Sequence, residues 1–280
     1  MNGSSADTGS DTLAAVVQLT QRVGALLVQM QAADGLATRA KSDGSPVTRA
    51  DQAAHDILAH GLPSIASYLV VSEESGAEEN ADRLTRERVW IVDPLDGTRE
   101  YIKGSPEFTV NVALVENGVP VLGVMDAPGL GITYFAERGR GAFRTVGGGT
   151  PERLSCTRTP LGNERIVVSG SDINLPWGTI PCFSGLRVEA VSSCVKLGFV
   201  ADGSAIAYPR LTPSSEWDIA AGHAVLLEAG GRVVGTDGND LVYNKRNPLN
   251  TAFVATGSAQ IAGEFARILA PMTPTAAVRR

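Results

Sequence analysis

Runs of basic residues are missing from this 280-residue chain. With 24 Lys and Arg against 30 Asp and Glu, the formal charge is −6, which excludes a nucleic-acid scaffold held by phosphate neutralisation and a basic membrane-surface binder. Cysteine is scarce too. Cys156, Cys182 and Cys194 are odd in number, widely spaced and without a C-x-x-C, so neither a disulfide framework nor a thiolate zinc site is written here, and three buried free thiols are expected. His55, His60 and His223 lack metal-ligand spacing and are expected in structural or surface roles. The longest unbroken stretch of apolar residues, Gly and Pro is Gly118–Met125, far short of the roughly 20 residues of a spanning helix. Residues 1–12 carry neither a basic start nor an apolar core, hence no secretory signal. No internal repeat and no Rossmann or Walker glycine signature is found. At 43% apolar and 19% charged, the chain reads as globular and cytoplasmic, peripheral association with the inner membrane being left open.

Its length suits one large domain or two that share a cleft. Periodicity predicts a helix capped at Asp11 or Thr12 and ending at Asp34-Gly35, a turn-rich loop at 41–46, and a second helix from Thr48 to Gly61-Leu62-Pro63. Strand patterns follow at 68–71, 89–92, 108–115, 120–125 and 131–136, with a hairpin turn at Glu116-Asn117-Gly118. The first half is therefore helices over a largely antiparallel sheet, and Gly147-Gly148-Gly149 is the candidate linker. Strands at 165–169, 187–190 and 251–255 then alternate with helices at about 193–201, 216–229 and 258–269, an α/β pattern. The division expected is a disordered terminus over 1–10, an α+β unit over 11–146 and an α/β unit over 150–270, with a frayed tail from Pro271.

The chemistry concentrates in Trp90-Ile91-Val92-Asp93-Pro94-Leu95-Asp96-Gly97-Thr98. An apolar run delivers two carboxylates three positions apart, with Pro94 stiffening the backbone between them. Such a turn can offer Asp93, Asp96 and the Leu95 carbonyl to a hard cation such as Mg²⁺, and the N–H groups of Gly97 and Thr98 to a phosphate oxygen. The plain alternative is an Asp-Gly turn that closes a strand. An aspartyl-phosphate phosphatase would need its two carboxylates two residues apart on one strand, and Pro94 stands where the second would be. Upstream, Glu73 in Ser72-Glu73-Glu74 reaches the same sheet edge as Asp93 if the strands ending at Val71 and Val92 are neighbours. Asp218 and Asp51 each have a bland reading as helix-capping acids, paired with Ser215 and Thr48.

Ser72–Glu74, Trp90–Lys103, Glu107–Leu114 and Trp217–Ala224 resemble the lithium-sensitive, Mg²⁺-dependent inositol monophosphatase superfamily over about residues 11–265. Within it, Thr98–Leu114 and Tyr208-Pro209-Arg210 look most like bacterial 3′(2′),5′-bisphosphate nucleotidases of the sulfate-assimilation type. The resemblance implies a sugar-phosphatase fold, a five-layered α-β-α-β-α sandwich. It implies a phosphatase that converts adenosine 3′,5′-bisphosphate to AMP and phosphate with metal-activated water and no covalent intermediate; inositol, histidinol or fructose bisphosphate phosphatase is the alternative. Carried over position by position, Glu73, Asp93, the Leu95 carbonyl, Asp96 and Asp218 would hold two or three Mg²⁺. Mn²⁺ would substitute, while Ca²⁺ and Li⁺ would inhibit. Asp51 and Thr98 would activate the water. Glu73, Leu95, Asp96, Gly97, Thr98, Ser193, Lys196, Arg210 and Asp218 would meet the substrate, a small nucleotide bisphosphate. Four carboxylates against two Mg²⁺ give a neutral cage that a phosphate can enter. A lysine in the first turn of a helix runs against the helix dipole unless an anion is near, and a cation at Arg210 suits a second phosphate; solvated surface cations are the alternative. Glu216, beside Asp218, adds charge that a bisphosphate would not welcome. Neither nucleic acid nor an integral membrane segment is expected, and the chain would be a monomer or homodimer.

Overall fold

Ser10, not Asp11 or Thr12, caps the first helix of the computed structural model, which describes residues 10–33, 38–40, 46–76, 81–156 and 165–272. The Ser10 hydroxyl accepts from the Leu13 N–H at 3.2 Å, leaving Asp11 in the first turn of α1 (Asp11–Ala32), where the helix dipole favours an acid. The expected helix end at 34–35, the loop at 41–45, residues 1–9, the tail from 273 and the side chain of Cys182 lie outside the described residues. Strands β1 (Thr38–Ala40) and β2 (Pro46–Thr48) form an antiparallel ribbon. Thr48 then caps α2 (Arg49–Ile65) through a reciprocal box with Asp51. Pro63 falls in the last turn of α2 and does not stop it; the Ala66 N–H closes the helix on the Leu62 carbonyl.

Next come β3 (Leu69–Ser72), β4 (Arg88–Asp96), the short helix α3 (Thr98–Ile102), β5 (Thr109–Glu116), β6 (Val119–Ala127), β7 (Ile132–Glu137), β8 (Gly141–Val146) and β9 (Glu152–Arg153). The seven strands form one sheet in chain order, β3 parallel to β4 and each later pair antiparallel. Gly147–Gly149, expected as a linker, is the turn between the paired strands β8 and β9. Gly147 and Gly148 have φ of 58° and 72°, a conformation that serves a tight turn as well as a linker, so composition alone could not separate the two.

The second half holds β10 (Arg165–Val168), β11 (Arg187–Ala190), α4 (Val195–Ala201), β12 (Ala207–Arg210), β13 (Ser214–Ser215), α5 (Ala220–Glu228), β14 (Arg232–Gly235), β15 (Leu249–Asn250), β16 (Phe253–Thr256) and α6 (Ala259–Leu269). Its five-stranded sheet has the order β11-β10-β12-β16-β14, with β10 parallel to both neighbours and β16 antiparallel to both of its own. Strands β12 and β14 were not expected: Pro209 demotes the first as a strand pattern, and the second is four residues ending on glycine.

Three cores define the layers. Val16, Val23 and Leu27 of α1 and Leu58 of α2 pack with Trp90, Val112 and Val124 on one face of the large sheet. On its other face Ile91, Met125 and Tyr134 meet Leu197 of α4, Val225 of α5 and Phe253 of the second sheet. Ala266 and Leu269 of α6 cover the far face of that sheet against Ile166 and Val254. The result is the expected five-layered α-β-α-β-α sandwich. Helix α5 is buried on every side from Ala220 to Leu226, as a helix held between two sheets must be. Gly123 lets it approach, because any side-chain carbon there would overlap the Ala221 carbonyl. Helix α1 is long and apolar enough to cross a membrane by length and composition, but its buried row is the one docked on the large sheet.

Candidate active site

Strand β4 delivers the site. Its register against β5 shifts between Asp93, opposite Asn111, and Asp96, opposite Thr109, so one extra residue bulges out at Pro94-Leu95. Pro94 has no ladder donor to lose there, and the Leu95 N–H turns back to Asp93 Oδ1 at 3.1 Å. Gly97 follows with φ 95°, and a Cβ on it would stand 2.9 Å from the Glu107 carbonyl oxygen. Only glycine meets both demands. Thr98 then opens α3, with its hydroxyl 3.0 Å from Asp51 Oδ1 and 3.1 Å from the Leu95 carbonyl oxygen. The other Asp51 oxygen accepts the Thr48 N–H at 2.7 Å and the Thr48 hydroxyl at 2.6 Å. The capping acid and the partner of Thr98 are thus one residue.

Strands β3 and β4 are the parallel neighbours the Glu73 argument required, Ser72 opposite Val92 and the Glu73 N–H on the Val92 carbonyl at 3.1 Å. Asp218 arrives from the second half. Helix α5 starts at Ala220, not 216, so Asp218 stands outside the first turn and its Oδ2 accepts the Ser215 N–H at 2.8 Å within the loop. Carboxylate oxygens of Glu73, Asp93 and Asp218 lie within 4.8 Å of one another. Asp96 lines the same cleft, but its Oδ2 leans on the Asn111 amide at 3.4 Å and the Thr109 hydroxyl at 3.5 Å.

So much negative charge out of water is costly. Burial first, then Glu73, Asp96 and Asp218, raise the Asp93 carboxyl well above the usual range. Burial likewise raises Asp96, against the pull of Lys196, and burial with Asp96 pushes Asp218 up to about 7. An all-oxygen donor set that repels itself fits a hard divalent cation. Glu73, Asp93, Asp96, Asp218 and the Leu95 carbonyl are the groups that could hold it.

The cleft encloses about 670 Å³. Ser169, Ser193, Lys196, Tyr208 and Arg210 line it as well. Lys196 is only 4% exposed, which rules out a solvated surface cation. Its ammonium donates to the carbonyls of Val191 and Ser193 and lies 5.1 Å from the Tyr208 ring centre; burial lowers its pKa to about 8, against the pull of Asp96. Arg210 is half-buried and donates to the Thr212 carbonyl at 3.0 Å, the Pro213 carbonyl at 3.2 Å and the Ser169 hydroxyl. Ser193 has φ 57° and a buried hydroxyl with no hydrogen-bond partner.

Glu216 does not face the substrate. It is 1% exposed and accepts the Asn244 N–H at 2.8 Å, the Lys245 N–H at 2.9 Å and the Lys245 ammonium at 2.7 Å, so its charge is spent on anchoring the 244–245 loop. Trp90 is buried under α1 and α2, its ring N–H on the Ala66 carbonyl. Buried His223 bonds the Tyr243 hydroxyl at 2.8 Å, and His55 bonds Ser72, the structural roles expected. Cys156 and Cys194 are buried free thiols. Thr109, Asn111, Glu107 and Tyr208 lie in stretches the sequence singled out but, like Ser169, were given no site role from it. For Thr109 and Asn111 a signal existed: polar residues two apart in an apolar strand share a face.

The inositol monophosphatase family model matches residues 10–270. The chain belongs to the inositol monophosphatase family. Its curated relatives include the 3′(2′),5′-bisphosphate nucleotidase CysQ of Salmonella typhimurium, 37% identical over 86% of this chain and 98% of that protein. Another is a histidinol-phosphatase of Mycobacterium tuberculosis, 36% identical over 71% of this chain and 77% of that protein. Among solved structures, CysQ from Bacteroides thetaiotaomicron superposes with a TM-score of 0.75 at 33% identity, covering 88% of this chain and 96% of that one. A Thermotoga maritima IMPase gives 0.73 at 25% identity over 93% and 97%. A member of this metal-dependent family with these relatives is a phosphatase enzyme.

Proposed function

We propose that this phosphatase removes the 3′-phosphate of adenosine 3′,5′-bisphosphate, yielding AMP and phosphate, with Mg²⁺ held by Glu73, Asp93, Asp96, Asp218 and the Leu95 carbonyl. When bound, Mg²⁺ supplies charge neutralisation of the cage and a lowered pKa for a coordinated water. Thr98 lines the cleft and Asp51 lies behind it, 1% exposed. With its proton committed to Asp51 Oδ1 at 3.0 Å, the Thr98 oxygen keeps a lone pair for a proton of the attacking water. As the water's proton passes to that oxygen, the Thr98 proton passes to Asp51 Oδ1, where it is held. Its other oxygen cannot swing away, because two Thr48 donors hold it. Gly97 and Thr98, at the start of α3, line the cleft, and their N–H groups suit the phosphate oxygens.

One observation carries the substrate reading: Lys196, buried, and Arg210, half-buried, line the same cleft as the carboxylates. Lys196 uses two donors of its three and Arg210 three of its five on the protein, which leaves N–H groups for a second phosphate. The Ser193 hydroxyl, buried and unpartnered, suits a nucleotide oxygen. A single-phosphate polyol offers these remaining donors no second anion. The test is parallel phosphate release, with Mg²⁺, from adenosine 3′,5′-bisphosphate, inositol 1-phosphate, histidinol phosphate and fructose 1,6-bisphosphate. The nucleotide should turn over fastest; faster release from inositol 1-phosphate overturns the substrate assignment.

A further inference from the structure

Glu107 belongs to the Glu107–Leu114 stretch but to none of the roles above. It lies just before β5 and lines the cleft, where a carboxylate is out of place beside an anionic substrate unless it is already engaged. It is engaged: its Oε2 accepts the Ser192 N–H from the second half of the chain at 3.0 Å. Its own carbonyl is the atom that any side chain at Gly97 would strike. One residue thus abuts the Gly97-Thr98 turn with its backbone and holds Ser192 with its side chain.

The loop that Glu107 holds is the one leading to Ser193 and Lys196. Much of that loop's backbone is engaged. The Val191 N–H goes to the Val168 carbonyl at 3.0 Å and the Ser192 N–H to Glu107, the Cys194 N–H draws the Asp96 carboxyl pKa down, and the Val191 and Ser193 carbonyls receive the Lys196 ammonium. Ser193 is held between these bonds in the left-handed region, φ 57°, which a serine adopts only where its surroundings over-determine it. Within this set Glu107 and Asp96 are the contributions of the first half.

Resting on the nucleotidase reading, we propose that Glu107 is a positioning residue that fixes the Ser192–Ser193 turn in its substrate-binding shape and so sets affinity for the nucleotide. It acts through Ser193 and Lys196, and it donates nothing to the reacting phosphate. Glu107→Ala deletes the acceptor, whereas Glu107→Gln keeps an oxygen that can still take the Ser192 N–H.

The test is steady-state kinetics of the full-length enzyme with adenosine 3′,5′-bisphosphate and with phenyl phosphate, which has no group to reach Ser193 or Lys196. The loss of a charge-assisted bond predicts that Glu107→Ala raises KM for the nucleotide by about tenfold while kcat falls less than about twofold. KM for phenyl phosphate should rise less than about threefold, and Glu107→Gln should recover most of the nucleotide KM. Equal rises for both substrates, a loss confined to kcat, or a glutamine variant no better than alanine overturns the proposal. A second measurement needs no variant and no substrate. The Ser192 amide of the wild-type protein, followed by NMR hydrogen exchange, should be protected at least about tenfold relative to an unbonded amide; free exchange refutes the latch. Wild-type enzyme that ignores the nucleotide but protects Ser192 refutes the nucleotidase reading alone.

Discussion

Asp218 connects activity to stability, and Asp218→Asn should make the metal-free protein more stable. Burial, then the neighbouring Asp96, push its carboxyl from the ordinary 3.8 up to about 7, with Glu73 adding to the rise and the Ser215 N–H opposing it. A carboxyl with a raised pKa binds its proton more tightly in the folded chain than in the unfolded one. Its contribution to folding is therefore fully present below pH 3.8 and is lost as the pH climbs through about 7. At about 1.4 kcal/mol per pH unit, the interval amounts to about 4 kcal/mol at pH 8. Asparagine keeps an oxygen for the Ser215 N–H and has no charge to bury. Thermal unfolding in EDTA should place the variant about 5–10 °C above wild type at pH 8, converting at roughly 2 °C per kcal/mol for a chain of this size, with no difference at pH 4. Saturating Mg²⁺ should narrow the gap by more than half, since a ligand at a hundred times its Kd adds about 2.7 kcal/mol to the protein that binds it. A metal-free variant no more stable than wild type at pH 8, or a difference that persists at pH 4, would refute the electrostatic argument.

Two other substitutions separate chemistry from folding. Thr98→Ala removes the hydroxyl between Asp51 and the cleft, so kcat should fall about a hundredfold while the Mg²⁺-dependent rise in melting temperature remains; loss of both would make Thr98 a structural residue. Asp126 is a buried acid outside the site, raised to about 6 by burial against the hydrogen bond from Thr133 at 2.7 Å. By the same sign, stability from this group is lost as the pH passes 6, and Asp126→Asn should add about 3 kcal/mol at pH 8 and nothing at pH 3.5, read by urea unfolding at the two pH values.

What could be read from the sequence is what the chain keeps contiguous. Asp93, Leu95, Asp96, Gly97 and Thr98 lie on one bulge and one turn, so their chemistry survives without knowledge of the fold. Glu73 needed a single tertiary condition, parallel pairing with β4, and apolar patterns of matching length at 68–71 and 89–92 made that a natural pairing. Asp218 was different. Its spacing from Ser215 reads as a helix cap, and only where α5 begins, at Ala220, decides that the carboxylate faces the cleft. Charge alone misled at Glu216, two residues away, because the direction of a side chain is set by what it can bond: the 244–245 loop supplies two N–H groups and an ammonium, and a buried acid goes to its donors. The burial of Lys196 was less legible for the same reason. From the sequence Lys196 reads as a substrate contact with a solvated surface cation as the alternative; two carbonyls of its own loop receive it, and that loop is bonded to Glu107, a residue 85 positions earlier in the chain than Ser192. Local propensity cannot carry a dependence of that range, whereas a strand that ends in two carboxylates carries its function with it.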